Sequence, residues 1–364
     1  MKTMHSDDVI FLLGAGASRD AGLLTSNQMT CDLEKKLCED CNWKPFYNLY
    51  RAVKSAIIHG HVFRNPCGEL ERELNIEEFV NVLTELSRYN EHTIYPFIAS
   101  WNMELVKYAG IDFDELKKFR GMIIKELSER WVHLPRAKKA LYYKGLLNLA
   151  KELDTHLCVF SLNYDLCVEE GCGRGNVYRG FDEDPDTKQL TWNDKRMLSE
   201  EGIQEYIRLF KLHGSLDWRK NAAQRLICED NPAACEHPED YQLIFGTSNK
   251  LRYDDPYLLL LSVFRQKVRT AKVIVCVGYS YGDEHINAMI SKAMLENPVA
   301  KLVSVTYLSE TQNDSGHLNT VTEKLGISND RIDIQAHGAR DFFEKTLNLG
   351  FVEKIMPQTT APFS

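Results

Sequence analysis

Residues Val9 to Gly22 read VIFLLGAGASRDAG: a short apolar run, a glycine-rich turn, then a polar start. An unbroken apolar run of this length fits a strand covered on both faces, the environment of a parallel sheet flanked by helices. A Gly-rich turn between such a strand and a helix is where α/β proteins hold a nucleotide phosphate. The glycines let the backbone come close, and the following helix presents free N–H groups. Gly14, Ala15, Gly16 and Ser18 are the candidate contacts, with Ser18 expected as the N-cap of that helix. The dinucleotide fingerprint is incomplete, because its third glycine position holds Arg19. Asp32 and Glu34 stand at the distance of a ribose-binding acid, but inside an expected helix. On its own, the loop fits either a phosphate cradle or a purely structural tight turn.

Further continuous apolar runs predict strands at Leu157–Leu162, Ile207–Leu212, Tyr241–Phe245, Val273–Val277, Leu302–Tyr307 and Ile332–Gln335. Helices are expected at Asp255–Thr270, Glu284–Leu295 and Ala339–Leu347. The intervening stretch differs: Ile76–Leu86 and Phe113–Trp131 repeat apolar residues at three- and four-residue steps. The expected fold is α/β, a Rossmann-like parallel sheet flanked by helices with an inserted helical module. Residues 1–30 and 152–350 would form the sheet domain, 31–151 the insertion and 351–364 a tail.

Three of the expected strands run into short polar motifs: SLNYD (161–165), KLHGS (211–215) and GYSYGD (278–283). Ends of parallel strands share one crevice, so Asn163 and His213 are candidates to face the same ligand as the loop at Gly14. Each also has a plainer reading. Asn after a strand often forms a turn, and His before Gly is often a satisfied loop residue.

Taken together and in order, these motifs resemble the sirtuin family, in particular the bacterial sirtuin-like proteins of antiphage defence. GAGAS is similar to the family's Gly-Ala-Gly-x-Ser loop, SLNYD to its Thr-Gln-Asn-x-Asp motif, and KLHGS carries its His-Gly pair. Gly278-Tyr279-Ser280 is similar to its later Gly-Thr-Ser turn, and GYSYGDEHIN is especially similar to the defence branch. The chain departs from protein-deacetylating members. It lacks the two CxxC pairs for zinc that follow their His-Gly motif, and Leu23–Gln28 stands where they carry Pro-Asp-Phe-Arg. The resemblance therefore implies an NAD+ glycohydrolase that cleaves NAD+ to nicotinamide and ADP-ribose and depletes NAD in infected bacteria. Asn163 and His213 would be catalytic. Gly14, Ala15, Gly16, Ser18, Asp165, Gly278, Tyr279, Ser280 and Asp283 would line the NAD+ site, Asp165 alternatively capping the turn after it. No metal is expected.

Neutral His213 suits proton transfer near pH 7, and Asn163 offers both a donor and an acceptor. A non-catalytic NAD or ADP-ribose sensor is the first alternative. A serine esterase is the second: Gly278–Gly282 also fits the Gly-x-Ser-x-Gly elbow, with Ser280, Asp333 and His337 in triad order. A protein deacylase is the third.

The chain's 364 residues carry 44% hydrophobic residues, 26% charged residues and a net charge of -8, which disfavours nucleic acid as a direct partner. No run approaches a membrane span and no signal peptide is evident, so a cytoplasmic location with reduced thiols is expected for its ten cysteines. Cys228, Cys235 and His237 are the nearest approach to a metal cluster, and their spacing is not that of a zinc knuckle. The resemblance to defence proteins implies a chain kept silent until triggered; with no P-loop or repeat array evident, control by a cognate ATPase partner or by self-assembly into a homo-oligomer is expected.

Overall fold

A computed structural model describes residues 5–64, 74–88, 103–110, 112–199, 202, 204–229, 242–244, 255–308 and 314–357. The chain divides into two units, Met1–Leu23 with His133–Pro232 and Arg252–Ser364, and Leu24–Val132 with Ala233–Leu251. The sequence pattern puts these divisions at 30/31 and 151/152. The shift at the second has a packing reason. Tyr142, Tyr143 and Leu146 are buried in one cluster with Phe11, Val159 and Val275 of the sheet, so 137–152 packs with the strands.

Among the described residues, eleven strands lie in the first unit: β1 Val9–Leu13, β2 Leu157–Ser161, β3 Val177–Tyr178, β4 Phe181–Glu183, β5 Leu190–Trp192, β6 Ile207–Lys211, β7 Trp218–Lys220, β8 Leu226–Cys228, β9 Val273–Val277, β10 Lys301–Val305 and β11 Ile332–Gln335. Seven form one sheet in the order β11-β10-β9-β1-β2-β6-β3. All its pairings are parallel. The central strands are buried along their whole length, which is why they read as unalternating apolar runs. One face packs Phe11, Val159, Leu209 and Val275 into the large core. On the other, Phe160 stacks on Phe210 with ring centroids 4.7 Å apart and meets Phe264 of the helix Tyr257–Thr270 edge-on.

The register carries the functional consequence. Leu13 pairs with Ser161 and with Val277, and Ser161 pairs with Lys211. The four motif loops therefore leave the sheet at one level and along one edge. Chain order reverses between β1 and β9, because β2 and β6 lie on one side of β1 while β9, β10 and β11 lie on the other. Such a switch point opens a crevice outside the strand ends.

A second sheet of order β4-β5-β8-β7 is antiparallel. Its residues Phe181, Trp192 and Trp218 form an aromatic cluster with centroids 5.4–6.0 Å apart. Strands of three residues show no readable period, so the sequence did not announce this sheet. The strand expected at Tyr241–Phe245 lies outside the described residues except for 242–244, and Cys235, His237 and the tail beyond 357 lie outside them entirely.

The second unit is helical where described, with helices Ser26–Glu39, Tyr47–Arg64, Ile76–Ser87, Met103–Ala109 and Asp114–Glu126, the last continuing into a wider turn through Trp131. Trp43, Phe46, Tyr50, Phe79 and Phe119 make its aromatic core. Asp32 and Glu34 belong to this unit. Asp32 accepts from Trp131 Nε1 at 2.8 Å, and Glu34 is held by Tyr50 and Lys54. Neither ends a second strand, so the ribose-acid reading of these two is discarded. Among the described residues, no helix is long and apolar enough to cross a membrane.

Candidate functional site

The GAGAS loop does not lead straight into an α-helix. A 3-10 turn covers Ala15–Ala21, and the first α-helix starts at Ser26, capped by Thr25 with Gln28 in a capping box. Ser18 is thus not an N-cap; Gly14 precedes the turn, with no side-chain cap. Ser18 is instead buried inside the turn, its hydroxyl 3.1 Å from that of Tyr143. Tyr142 donates to the Ala17 carbonyl at 2.6 Å. Burial pushes the Tyr143 hydroxyl well above its ordinary pKa, so it stays a proton-bearing partner of Ser18. These two tyrosines brace the loop from below, and no local motif marks them.

The loop's glycines serve close packing between strands. Gly14 N–H donates to Val277 O at 3.0 Å and Gly16 N–H to Gly278 O at 2.9 Å. A Cβ on Gly14 would lie 2.6 Å from Gly278 O, and one on Gly16 would lie 2.8 Å from the Gly278 Cα. The amides of Gly14 and Gly16 are therefore engaged within the protein, and Ala15 is the exposed residue at the tip.

Asn163 reaches into this loop. Its Nδ2 donates to Gly14 O at 2.9 Å and to Ser18 Oγ at 3.3 Å. Its donors are thus taken, and Oδ1 is the group it can offer a ligand. Asp165 Oδ1 accepts from Cys167 N–H at 2.9 Å, so its side chain holds the turn into Cys167–Cys172. Its carbonyl accepts from Lys211 Nζ, which ties SLNYD to KLHGS. Leu216 N–H to Tyr164 O at 3.0 Å is a second tie.

His213 is 6% exposed, and its Nε2 lies 3.3 Å from Asp283 Oδ2. The other Asp283 oxygen accepts from His285 and Ile286 N–H at 3.0 and 3.3 Å, capping the helix Glu284–Glu296. Asp283 thus acts through an imidazole and a helix end. A carboxylate facing Nε2 favours a hydrogen on that nitrogen, which leaves Nδ1 as the ring's acceptor.

The stretch Gly278–Asn287 folds back on itself. Tyr279 hydroxyl donates to Asn287 Oδ1 at 2.8 Å, and Asn287 Nδ2 donates to Tyr281 O at 2.8 Å. The Tyr279 side chain is therefore a buried strut and not a ligand contact, while Ser280 is exposed. Asn287 was not singled out in the sequence, although it stands one helical turn after the capping Asp283. The hydrolase elbow is not assembled. The left-handed residues of the turn are Gly278 and Tyr281, not Ser280. Asp333 accepts from Gln335 Nε2 at 2.8 Å, and His337 stacks on Phe342, its Nδ1 without a hydrogen-bond partner among the described residues.

The four loops thus close a ring: Asn163 joins the second to the first, Gly16 and Gly278 the first to the fourth, His213 and Asp283 the third to the fourth, and Lys211 the third to the second. Behind it sits a buried ionic cluster. Arg179 pairs with Asp217 at 2.6 Å, and Lys211 lies 3.6 Å from Glu169. Burial pushes Asp217 up, but Arg179 and Lys211 outweigh it and hold the carboxyl below its usual range. Burial dominates at Glu169 and raises it.

Replacing Arg179 with Met leaves Asp217 charged and buried, which is expected to lower stability at neutral pH by about 3–5 kcal/mol. A depressed carboxylate stabilises the fold above its unfolded pKa, and that contribution fades as pH falls through the folded one. Without Arg179 the carboxyl takes up a proton more readily, so the variant's deficit should shrink on acidification toward pH 4. Thermal melts across pH check this; a deficit independent of pH would refute it.

Residues 157–329, just under half of the chain, match the family model of the SIR2-like domain. A search of curated proteins finds no match. Among solved structures, the chain is similar to a Sir2 homologue in complex with NAD, at 12% identity over 95% of this chain and 88% of that one, with a TM-score of 0.41. It is also similar to Sir2Tm bound to a propionylated peptide (12% identity, 95% and 93% covered, TM-score 0.37) and to a mutant Sir2 homologue with ADP-ribose (11%, 95% and 91%, 0.40). Likeness at that distance assigns no residue roles. The family match supports a sirtuin-like relationship for the stretch that supplies Asn163, His213 and the Gly278–Asp283 turn.

Proposed function

We propose that the chain hydrolyses NAD+ to nicotinamide and ADP-ribose at the ring of four loops, with Asn163 and His213 catalytic and no metal taking part. The observation that carries this reading is the convergence of Asn163, His213, Asp283 and the GAGAS loop at the β1/β9 switch point. A sheet of this kind binds nucleotides there, and the SIR2-like match covers three of the four motifs. Among the described residues no group of three or more His, Cys, Asp or Glu could hold a metal.

The exposed tip at Ala15 and the Ser280 hydroxyl are the groups offered to the diphosphate and adenosine side. Asn163 Oδ1 is offered to a ribose hydroxyl or to the attacking water. In the reaction the water oxygen bonds to ribose C1′ and the bond to the pyridinium nitrogen breaks. Its electron pair returns to the ring, so nicotinamide leaves neutral. The water proton passes to His213 Nδ1, and the imidazolium formed is stabilised by Asp283. Depletion of NAD as a bacterial antiphage defence rests on the resemblance of GYSYGDEHIN to the defence branch. Oligomerisation and control by an ATPase partner stand with that resemblance.

The test is nicotinamide release from NAD+ by the purified chain with no acylated peptide added, beside Asn163→Ala. Wild-type turnover with a loss of about 10²-fold or more in the variant is the expected result. Binding of ADP-ribose without any turnover would replace the enzyme with a sensor, and release only with an acylated peptide would replace it with a deacylase.

A further inference from the structure

Tyr281 is a bulky aromatic residue held at φ 57°, a left-handed backbone that such residues rarely adopt. Something must over-determine that turn. One restraint is the Asn287 amide on the Tyr281 carbonyl. The other lies at the end of the side chain. Tyr281 is fully buried, and its hydroxyl donates to Ser304 Oγ at 2.8 Å. Ser304 is 1% exposed and stands in the middle of β10, between the apolar residues Val303 and Val305. Its hydroxyl lies 3.0 Å from His317 Nε2, on the half-buried face of the helix Asp314–Leu325. A buried hydroxyl inside an apolar parallel strand costs desolvation unless both its donor and its acceptor are used. Here Ser304 accepts from Tyr281 and has its own proton free for a neutral imidazole. Burial holds His317 below its ordinary pKa, against the opposing charge of Asp314, and so keeps Nε2 available as that acceptor.

Two residues after Tyr281 comes Asp283, the carboxylate that faces His213. We propose that Tyr281, Ser304 and His317 form a hydrogen-bonded relay that positions the Tyr281 turn and thereby aims Asp283 at His213. None of the three touches the reacting atoms in this arrangement; they act through Asp283. The inference takes the NAD-cleaving reading for what the relay serves, but the turn itself can be followed without it.

The experiment compares Tyr281→Phe, His317→Phe and His317→Gln with the wild type. It measures kcat and KM for nicotinamide release, and amide hydrogen exchange across 278–287 in the absence of NAD+. Tyr281→Phe and His317→Phe are expected to speed exchange across the turn. They should lower kcat by about ten- to a hundredfold with little change in KM, as a misaimed base does. His317→Gln, whose side-chain oxygen can still accept the Ser304 proton, should restore most of the protection and the rate. Unchanged exchange in Tyr281→Phe, or a Gln variant no better than the Phe variant, would overturn the relay. If the wild type releases no nicotinamide, the NAD-cleaving reading fails, and the exchange data alone decide the relay.

Discussion

Replacing His213 with alanine is expected to lower the rate of NAD+ cleavage by about 10²–10⁴-fold, the usual worth of a positioned proton acceptor, while ADP-ribose still binds. The imidazole is 6% exposed and faces Asp283 at 3.3 Å, so its ring is held rather than swinging in solvent. Truncation removes the base and leaves Asp283 with no imidazolium to stabilise. The loop that carries it should survive, because its backbone is anchored by Leu212 N–H on Ser161 O and Leu216 N–H on Tyr164 O. Asp283→Asn refines the expectation. Asparagine still caps the helix Glu284–Glu296, so stability should hold. The loss of the negative charge beside the imidazole should lower kcat by less than His213→Ala does. Single-turnover nicotinamide release alongside ADP-ribose titration checks both. A His213→Ala variant that keeps wild-type turnover would remove the proposed base, and an Asp283→Asn variant that matches the wild type would leave the carboxylate as a helix cap alone.

The second large effect is expected from Gly278→Ala. Gly278 has φ 61°, and a Cβ there would lie 2.1 Å from Ala17 N and 2.3 Å from the Gly16 carbonyl carbon. Both contacts are with backbone, so no rotamer change relieves them. The left-handed conformation disfavours alanine as well. Taken with forced overpacking, the cost should be about 3 kcal/mol or more, which for a unit of this size lowers Tm by roughly 6–12 °C. The same methyl group pushes the GAGAS loop away from the GYSYGD turn, so ADP-ribose affinity should fall with stability. Asp165→Ala provides a contrast, since it removes one hydrogen bond, to Cys167 N–H in the turn before a short helix, and should cost only about 1 kcal/mol with affinity kept. Thermal melts and ligand titration of the two variants distinguish them; a Gly278→Ala protein with wild-type Tm would show that the two loops can separate freely.

Much of this architecture was legible because parallel strands buried on both faces leave continuous apolar runs. The bounds expected for β1, β9 and β11 coincide with those observed, and β2 and β6 end one residue earlier than expected. The amphipathic stretches Ile76–Leu86 and Phe113–Trp131 are helical as their spacing implied, within a residue or so at each end. What escaped was structure with too few residues to show a period, such as β4, β5, β7 and β8, or with a role set by distant chain. Ser18 looked like a helix cap because serine caps helices. It turned inward because Tyr143, 125 residues away, supplied a partner in a buried turn. Gly14 and Gly16 looked like phosphate glycines for the same local reason, yet the tight contacts they make room for are with Gly278.

The sequence by itself therefore determined the parallel sheet, the helical character of the second unit, and the polar motifs at the strand ends. These follow from local periodicity, which needs no knowledge of neighbours in space. Only the tertiary structure decided that Asn163 points its donors at the first loop, that Asp283 faces His213, and that Tyr281 is braced through Ser304 to His317. Those assignments depend on which strand lies beside which and in what register. The pairing of Leu13 with both Ser161 and Val277 brings together loops more than 100 residues apart in the chain.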